Sequence, residues 1–166
     1  MLIRPAQLAD APSLSAIYNW ASAQPALNLV TWQESVEDRE NWLKDLEAQG
    51  YPVFVAEEDG EVLGWAAYFQ FVTPAIYYGT AEDSIYIAPE AQGKGVGSAL
   101  MEALMEHAEG NDYVRTMITY IVDENYGSIA LHMKFGFEET GRMPNIHTKG
   151  DKRLGLVHLQ RDFDRS

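Results

Sequence analysis

The sequence contains no cysteine. Disulfide frameworks, thiolate zinc sites and cysteine nucleophiles are therefore excluded. Histidine is scarce too: His107, His132, His147 and His158 never fall at the i, i+4 spacing of a helical metal site, which argues against a metal enzyme. Basic residues are few, 12 Lys and Arg against 25 Asp and Glu, giving a net charge of −13. Nucleic acid, whose binding is driven by neutralising phosphates, suits such a chain poorly. No apolar run approaches the length needed to span a bilayer, and the opening "MLIRPAQLAD" lacks the basic-then-apolar order of a signal peptide. The expectation is a cytoplasmic protein that engages neither membrane nor nucleic acid.

What is present is a chain of 166 residues, 46% hydrophobic and 22% charged, long enough for one domain with a sizeable core. No repeat, low-complexity run or linker divides it, so residues 1–166 read as a single domain. "MLIRPA" is a strand stopped by Pro5. Asp10 and Pro12 mark a helix start, with Leu14, Ile17, Tyr18 and Ala21 as its stripe. A second helix fits Val36 to Gln49, ended by Gly50. "YPVFVAEEDGEVLGWAAYFQF" is a hairpin turned at Asp59-Gly60, and "TAEDSIYIAP" a further strand. An amphipathic helix from Val96, the strand "YVRTMITYIV", a capped helix in "DENYGSIALHMKFGF" leading into a strand, and the strand "RLGLVHLQRDF" complete the order. The pattern β-α-α-β-β-β-α-β-α-β-β implies an α/β or α+β fold whose sheet is not purely parallel.

Gly93, Gly95 and Gly97 alternate between a strand and a helix, where each costs backbone entropy. A loop of bare N–H groups at a helix N-terminus is an anion cradle, and glycine lets a phosphate approach the backbone closely. Neither G-x-x-x-x-G-K-S/T nor G-x-G-x-x-G fits. What stands there is Gln92-Gly93-Lys94-Gly95-Val96-Gly97.

That run resembles R/Q-x-x-G-x-G/A, the pyrophosphate-binding signature of the GNAT superfamily of N-acetyltransferases. "DENYGSIALHMKFGF" resembles the family's second cofactor motif, and "VFVAEEDGEVLGWAAY" its central hairpin. Within the superfamily, "GYPVFVAE", "TAEDSIYI" and "SIALHMKFGFEETGRMP" are most similar to the phosphinothricin and methionine sulfoximine acetyltransferases. The resemblance implies a mixed, mostly antiparallel sheet flanked by about four helices. It splays in a V beside the glycine-loop strand, with acetyl-CoA wedged into it. It further implies a homodimer, and acetyl transfer to the primary amine of a small molecule.

Alternation puts Glu82, Ser84 and Tyr86 on one face of "AEDSIYI" and Asp83, Ile85 and Ile87 on the other. Asp83, sharing a face with two isoleucines, reads as an exception at the strand's start. The resemblance places a catalytic glutamate at Glu82, which needs partial burial or a relay water to become an adequate base. Asn125, Ser128 and His132 fall on one helical face. Asn125 is a natural N-cap, and the resemblance gives Asn125 and Ser128 contacts to the pantetheine arm. His132 stands where many members carry a tyrosine that protonates the leaving thiolate. It is read either as that acid or as a packed, hydrogen-bonded histidine. Backbone N–H groups around Ile85, Tyr86 and Ile87 would meet the oxyanion. The loop from Gln92 to Ser98, with Lys94 and Lys134, would hold phosphate.

The acceptor half departs from the family pattern. Val72 and Pro74 stand where an F-R-x-R run would supply two carboxylate-binding arginines, and a late K-F-G-R-W-L-D segment appears as "KGDKRLGL". Trp32, Phe71, Tyr77 and Tyr78 suggest a more aromatic, less cationic pocket. Two alternatives stay open: a non-catalytic acetyl-CoA-binding sensor, and a protein N-terminal or lysine acetyltransferase.

Overall fold

A computed structural model describes residues 1–72 and 76–164. Seven strands and four helices follow in the expected order: β1 (Leu2–Pro5), α1 (Ala11–Ala23), α2 (Val36–Gln49), β2 (Val53–Glu58), β3 (Glu61–Gln70), β4 (Thr80–Ile87), α3 (Val96–Glu109), β5 (Thr116–Val122), α4 (Tyr126–Lys134), β6 (Glu138–Lys149) and β7 (Lys152–Asp162). The strands form one sheet in the order β1-β2-β3-β4-β5-β7-β6. Among the described residues only the β4–β5 pair is parallel; the others run antiparallel.

Local chemistry accounts for the boundaries. Ser35 Oγ accepts from Asp38 N at the start of α2 while Asp38 Oδ2 accepts from Ser35 N, a reciprocal capping box. Gly50, at φ +77°, closes that helix in the left-handed conformation glycine tolerates best. Asp59 and Gly60 both take positive φ, as the tight turn between β2 and β3 requires. Asp10 does not cap α1 with its side chain. Its carboxylate instead accepts two bonds from the Arg4 guanidinium, at 2.7 and 2.8 Å.

The central strands of the sheet are covered on both faces. Trp65 of β3 and Tyr86 of β4, cross-strand partners, pack toward α1 and α2, where Trp65 Nε1 donates to Leu14 O. On the other face Leu100, Met101 and Leu104 of α3 are fully buried, and Tyr68 of β3 meets His107.

The feature that positions the site is a short pairing. β4 and β5 bond only over Thr80–Thr116, Ala81–Met117 and Glu82–Ile118. Beyond Glu82 the pairing stops, and among the described residues the β5-facing backbone of residues 83–87 has no strand partner. The expected V therefore opens at Glu82.

Candidate active site

Two cavities flank β4 and share Ser84 and Tyr86 as their common wall. The larger, about 680 Å³, occupies the V. One side is Ile85, Tyr86 and Ile87; the far side is Thr119 to Val122 of β5. Its mouth is the loop Gln92–Ser98, and α4 contributes Ser128 and His132. Gly93 (φ +72°) and Gly95 (φ +85°) take left-handed conformations, and a Cβ at either would project into open space, so their backbone lies bare to a ligand. Gly97 serves differently: a Cβ there would lie 3.2 Å from Leu131 Cδ2, so its small size lets α3 approach α4. The first-turn N–H groups of α3 and this bare backbone suit a pyrophosphate. Lys94 is exposed and lies outside the cavity wall, while Lys134 Nζ donates to Ser98 Oγ at 3.2 Å, putting an ammonium beside the loop.

Asn125 caps α4, its Oδ1 accepting from Ser128 N, and its Nδ2 donates to Leu27 O. Leu27, Asn28 and Leu29 line the same cavity. This α1–α2 connection is also held by Lys149, whose Nζ donates to Gln24 O (2.8 Å) and Asn28 O (2.9 Å). Burial pushes the Lys149 ammonium below its ordinary pKa.

Asp83 is not an exception at the strand's start. Its side chain is buried, and Oδ2 accepts from His132 Nε2 at 2.9 Å. His132 Nδ1 lies 2.7 Å from Ser128 O, a carbonyl that can only accept. Nδ1–H therefore donates to that carbonyl, and with Asp83 ionised Nε2 donates as well, which describes an imidazolium paired with a carboxylate. Burial works against that charge, but Asp83 and the Ser128 carbonyl outweigh it and raise the His132 pKa. With both ring nitrogens engaged and 1% of the side chain exposed, His132 is packed and hydrogen-bonded where it borders the larger cavity. Asp83 Oδ1 has no hydrogen-bond partner among the described residues.

Glu82, at the vertex of the V, lines the second cavity, of about 610 Å³. Burial, and then the neighbouring Asp83 charge, raise its pKa, as a base for an amine requires. Trp32 opens onto this cavity, with Tyr18, Trp42, Trp65, Phe69 and Tyr86 as further aromatic walls. Burial pushes the Tyr86 phenol up to about 12, so it stays neutral. Phe71 and Tyr77 pack on each other, and Phe71 stacks on Tyr120 of the larger cavity. Tyr78 packs edge-on against Tyr113, near the N-terminal end of β5, and like Phe71 and Tyr77 is not among the residues that line these two cavities. Pro74 lies outside the described residues. Phe69 and the Glu34–Arg39 pair were not read from the sequence. Phe69 alternates with buried Tyr68 along β3, and this period-2 pattern was its available signal.

Among the described residues no group of three or more His, Asp or Glu side chains is placed to hold a metal ion, and no helix is long and apolar enough to cross a membrane. Residues 14–137 match the model of the acetyltransferase (GNAT) family. The chain is 37% identical to the L-methionine sulfoximine/L-methionine sulfone acetyltransferase of Pseudomonas aeruginosa, over 98% of this chain and 94% of that one. Among solved structures it superposes with TM-score 0.94 on an acetyltransferase of Salmonella typhimurium determined with its cofactor acetyl-CoA (33% identity, 100% and 95% of the two chains). It superposes with TM-score 0.92 on a phosphinothricin acetyltransferase of Sinorhizobium meliloti in complex with acetyl-CoA (32% identity, 98% and 88%).

Proposed function

The chain belongs to the acetyltransferase (GNAT) family and is an acyltransferase, and from that premise we propose that Glu82 is the base in acetyl-CoA-dependent acetylation of a small primary amine. The observation that carries this is the placement of Glu82, half-buried at the last β4–β5 pair, where the cavity suited to the cofactor meets a second, aromatic one. Relatives named for methionine sulfoximine, methionine sulfone and phosphinothricin support a small acceptor and supply the first compounds to test.

Bound acetyl-CoA supplies an acyl group activated as a thioester. In this reading the loop Gln92–Ser98 and Lys134 bind phosphate, while Asn125 and Ser128 line the path of the pantetheine arm. The β5-facing N–H groups of residues 83–87, free of strand pairing, meet the acyl oxygen as it gains negative charge. Glu82 removes a proton from the acceptor ammonium. The neutral nitrogen forms the N–C bond as the C–S bond breaks, and after the nitrogen sheds its remaining extra proton a proton from solvent completes the thiol. His132, held by Asp83, positions β4 against α4 and touches no reacting atom.

A homodimer and a cytoplasmic setting belong to the same proposal. β6 is an edge strand, exposed along most of its length, with Met143 and Ile146 facing out. The test of function is free-thiol release from acetyl-CoA with methionine sulfone, methionine sulfoximine and phosphinothricin, comparing wild type with Glu82→Gln. Amine-dependent release that Glu82→Gln loses supports the proposal. Tight acetyl-CoA binding without release would leave a sensor module. Light scattering of the eluted protein decides the dimer.

A further inference from the structure

The second cavity contains two features able to hold an acceptor's carboxylate, and this chain's own carboxylates occupy both. The first is Arg39, the one cationic side chain among the described residues that line it. Arg39 is 3% exposed. Its Nε and Nη2 donate to the two oxygens of Glu34 at 2.6 and 2.7 Å, a bidentate pair that consumes the fork. The guanidinium also lies over Trp42, Trp65 and Tyr18, at 4.4, 4.6 and 5.0 Å from the ring centroids. The second is the N-terminus of α2. There Asp38 Oδ2 accepts from Ser35 N and from Ser35 Oγ, while Asp38 N donates back to Ser35 Oγ.

Apart from the neutral Gln33 and Ser84, the lining that remains is aromatic and acidic: one guanidinium stands against the three carboxylates Glu34, Asp38 and Glu82. An amino acid brought here would leave its carboxylate desolvated without a counter-charge, a costly arrangement. A simple amine brings one positive charge, which Glu82 faces, and an apolar body, which Trp32 and Phe69 face. The whole-chain charge of −13 attracts such a cation and is indifferent to a zwitterion.

We propose that the acceptor is a primary amine carrying no acidic group, with an aromatic or extended apolar body of the arylalkylamine type. This rests on the acetyltransferase reading above and narrows its substrate.

Matched pairs differing only in the carboxylate test it: phenylethylamine against phenylalanine, tryptamine against tryptophan, and 3-(methylthio)propylamine against methionine. Thiol release at saturating acetyl-CoA is expected to give kcat/KM at least tenfold higher for the amine of each pair. Equal or higher kcat/KM for the acids, or release confined to methionine sulfoximine and phosphinothricin, overturns the inference while the acetyltransferase reading stands. No release with any compound removes that reading and this inference together. Glu34→Gln withdraws one carboxylate and frees part of the Arg39 fork. It should narrow the amine-to-acid ratio severalfold, and an unchanged ratio in the folded variant counts against the proposal.

Discussion

Asp83 Oδ2 and His132 Nε2 lie 2.9 Å apart at the vertex of the V, joining β4 to α4 across 49 residues of sequence. Both side chains are essentially inaccessible to solvent. A buried ion pair of this kind is weak evidence for added stability, but losing one partner strands a charge in the interior.

That pair makes stability depend on pH with a definite sign. The His132 pKa is higher folded than unfolded, so the native state binds the extra proton and is favoured below the ordinary histidine pKa of about 6.5. This contribution is lost as pH rises through the raised folded value. Thermal melts of wild type should fall on that alkaline side. Asp83→Asn should lower stability by about 3–5 kcal/mol near neutrality and weaken the pH dependence. A melt profile identical in shape for wild type and Asp83→Asn would show that the pair is not charged.

Glu82 governs the pH dependence of rate instead. Its raised pKa predicts an acid limb in kcat/KM lying above the ordinary glutamate value of about 4.3. Glu82→Gln should lower kcat by about 10²–10⁴-fold, the usual range for a general base. It should leave acetyl-CoA affinity, measured by calorimetry, nearly unchanged. A rate within a few-fold of wild type would assign the proton to another group.

The strand–glycine–helix order was legible because it is local: β4, the bare backbone at Gly93 and Gly95, and the start of α3 follow one another within a short run of sequence. The element order was legible for the same reason, since the periodicity switches at Asp59-Gly60 and again at Val96. Asp83 was misread because alternation assigns a face without saying what covers it, and the covering residue is 49 positions away. Glu34 and Arg39 are near in sequence, yet nothing in their spacing says that they bury each other beneath three aromatic rings. The packing of Tyr78 on Tyr113 was not legible because residues beside a loop have no period to fix their direction.

Gly95 offers a direct test of the anion cradle. At φ +85° an alanine is strained by about 1–2 kcal/mol, and its methyl would project into the open space that a phosphate needs. Gly95→Ala should weaken acetyl-CoA binding by tenfold or more while shifting the melting temperature by only a few degrees. Unchanged affinity would place the pyrophosphate elsewhere.

Asn125 joins two duties, and they can be separated. Its Oδ1 caps α4 and its Nδ2 reaches Leu27 O, on the connection that lines the cofactor cavity. Asn125→Asp keeps the capping acceptor and removes the donor; Asn125→Ser keeps a shorter cap that does not reach Leu27. Asn125→Ala removes both and should cost about 1 kcal/mol of stability through the cap alone. The capped variants should retain most of the melting temperature yet show a raised KM for acetyl-CoA, because the α1–α2 connection then loses its tie to the start of α4 at the cavity wall. If KM changes only in Asn125→Ala, in proportion to lost stability, the contact to Leu27 plays no part in cofactor binding and Asn125 is a cap alone.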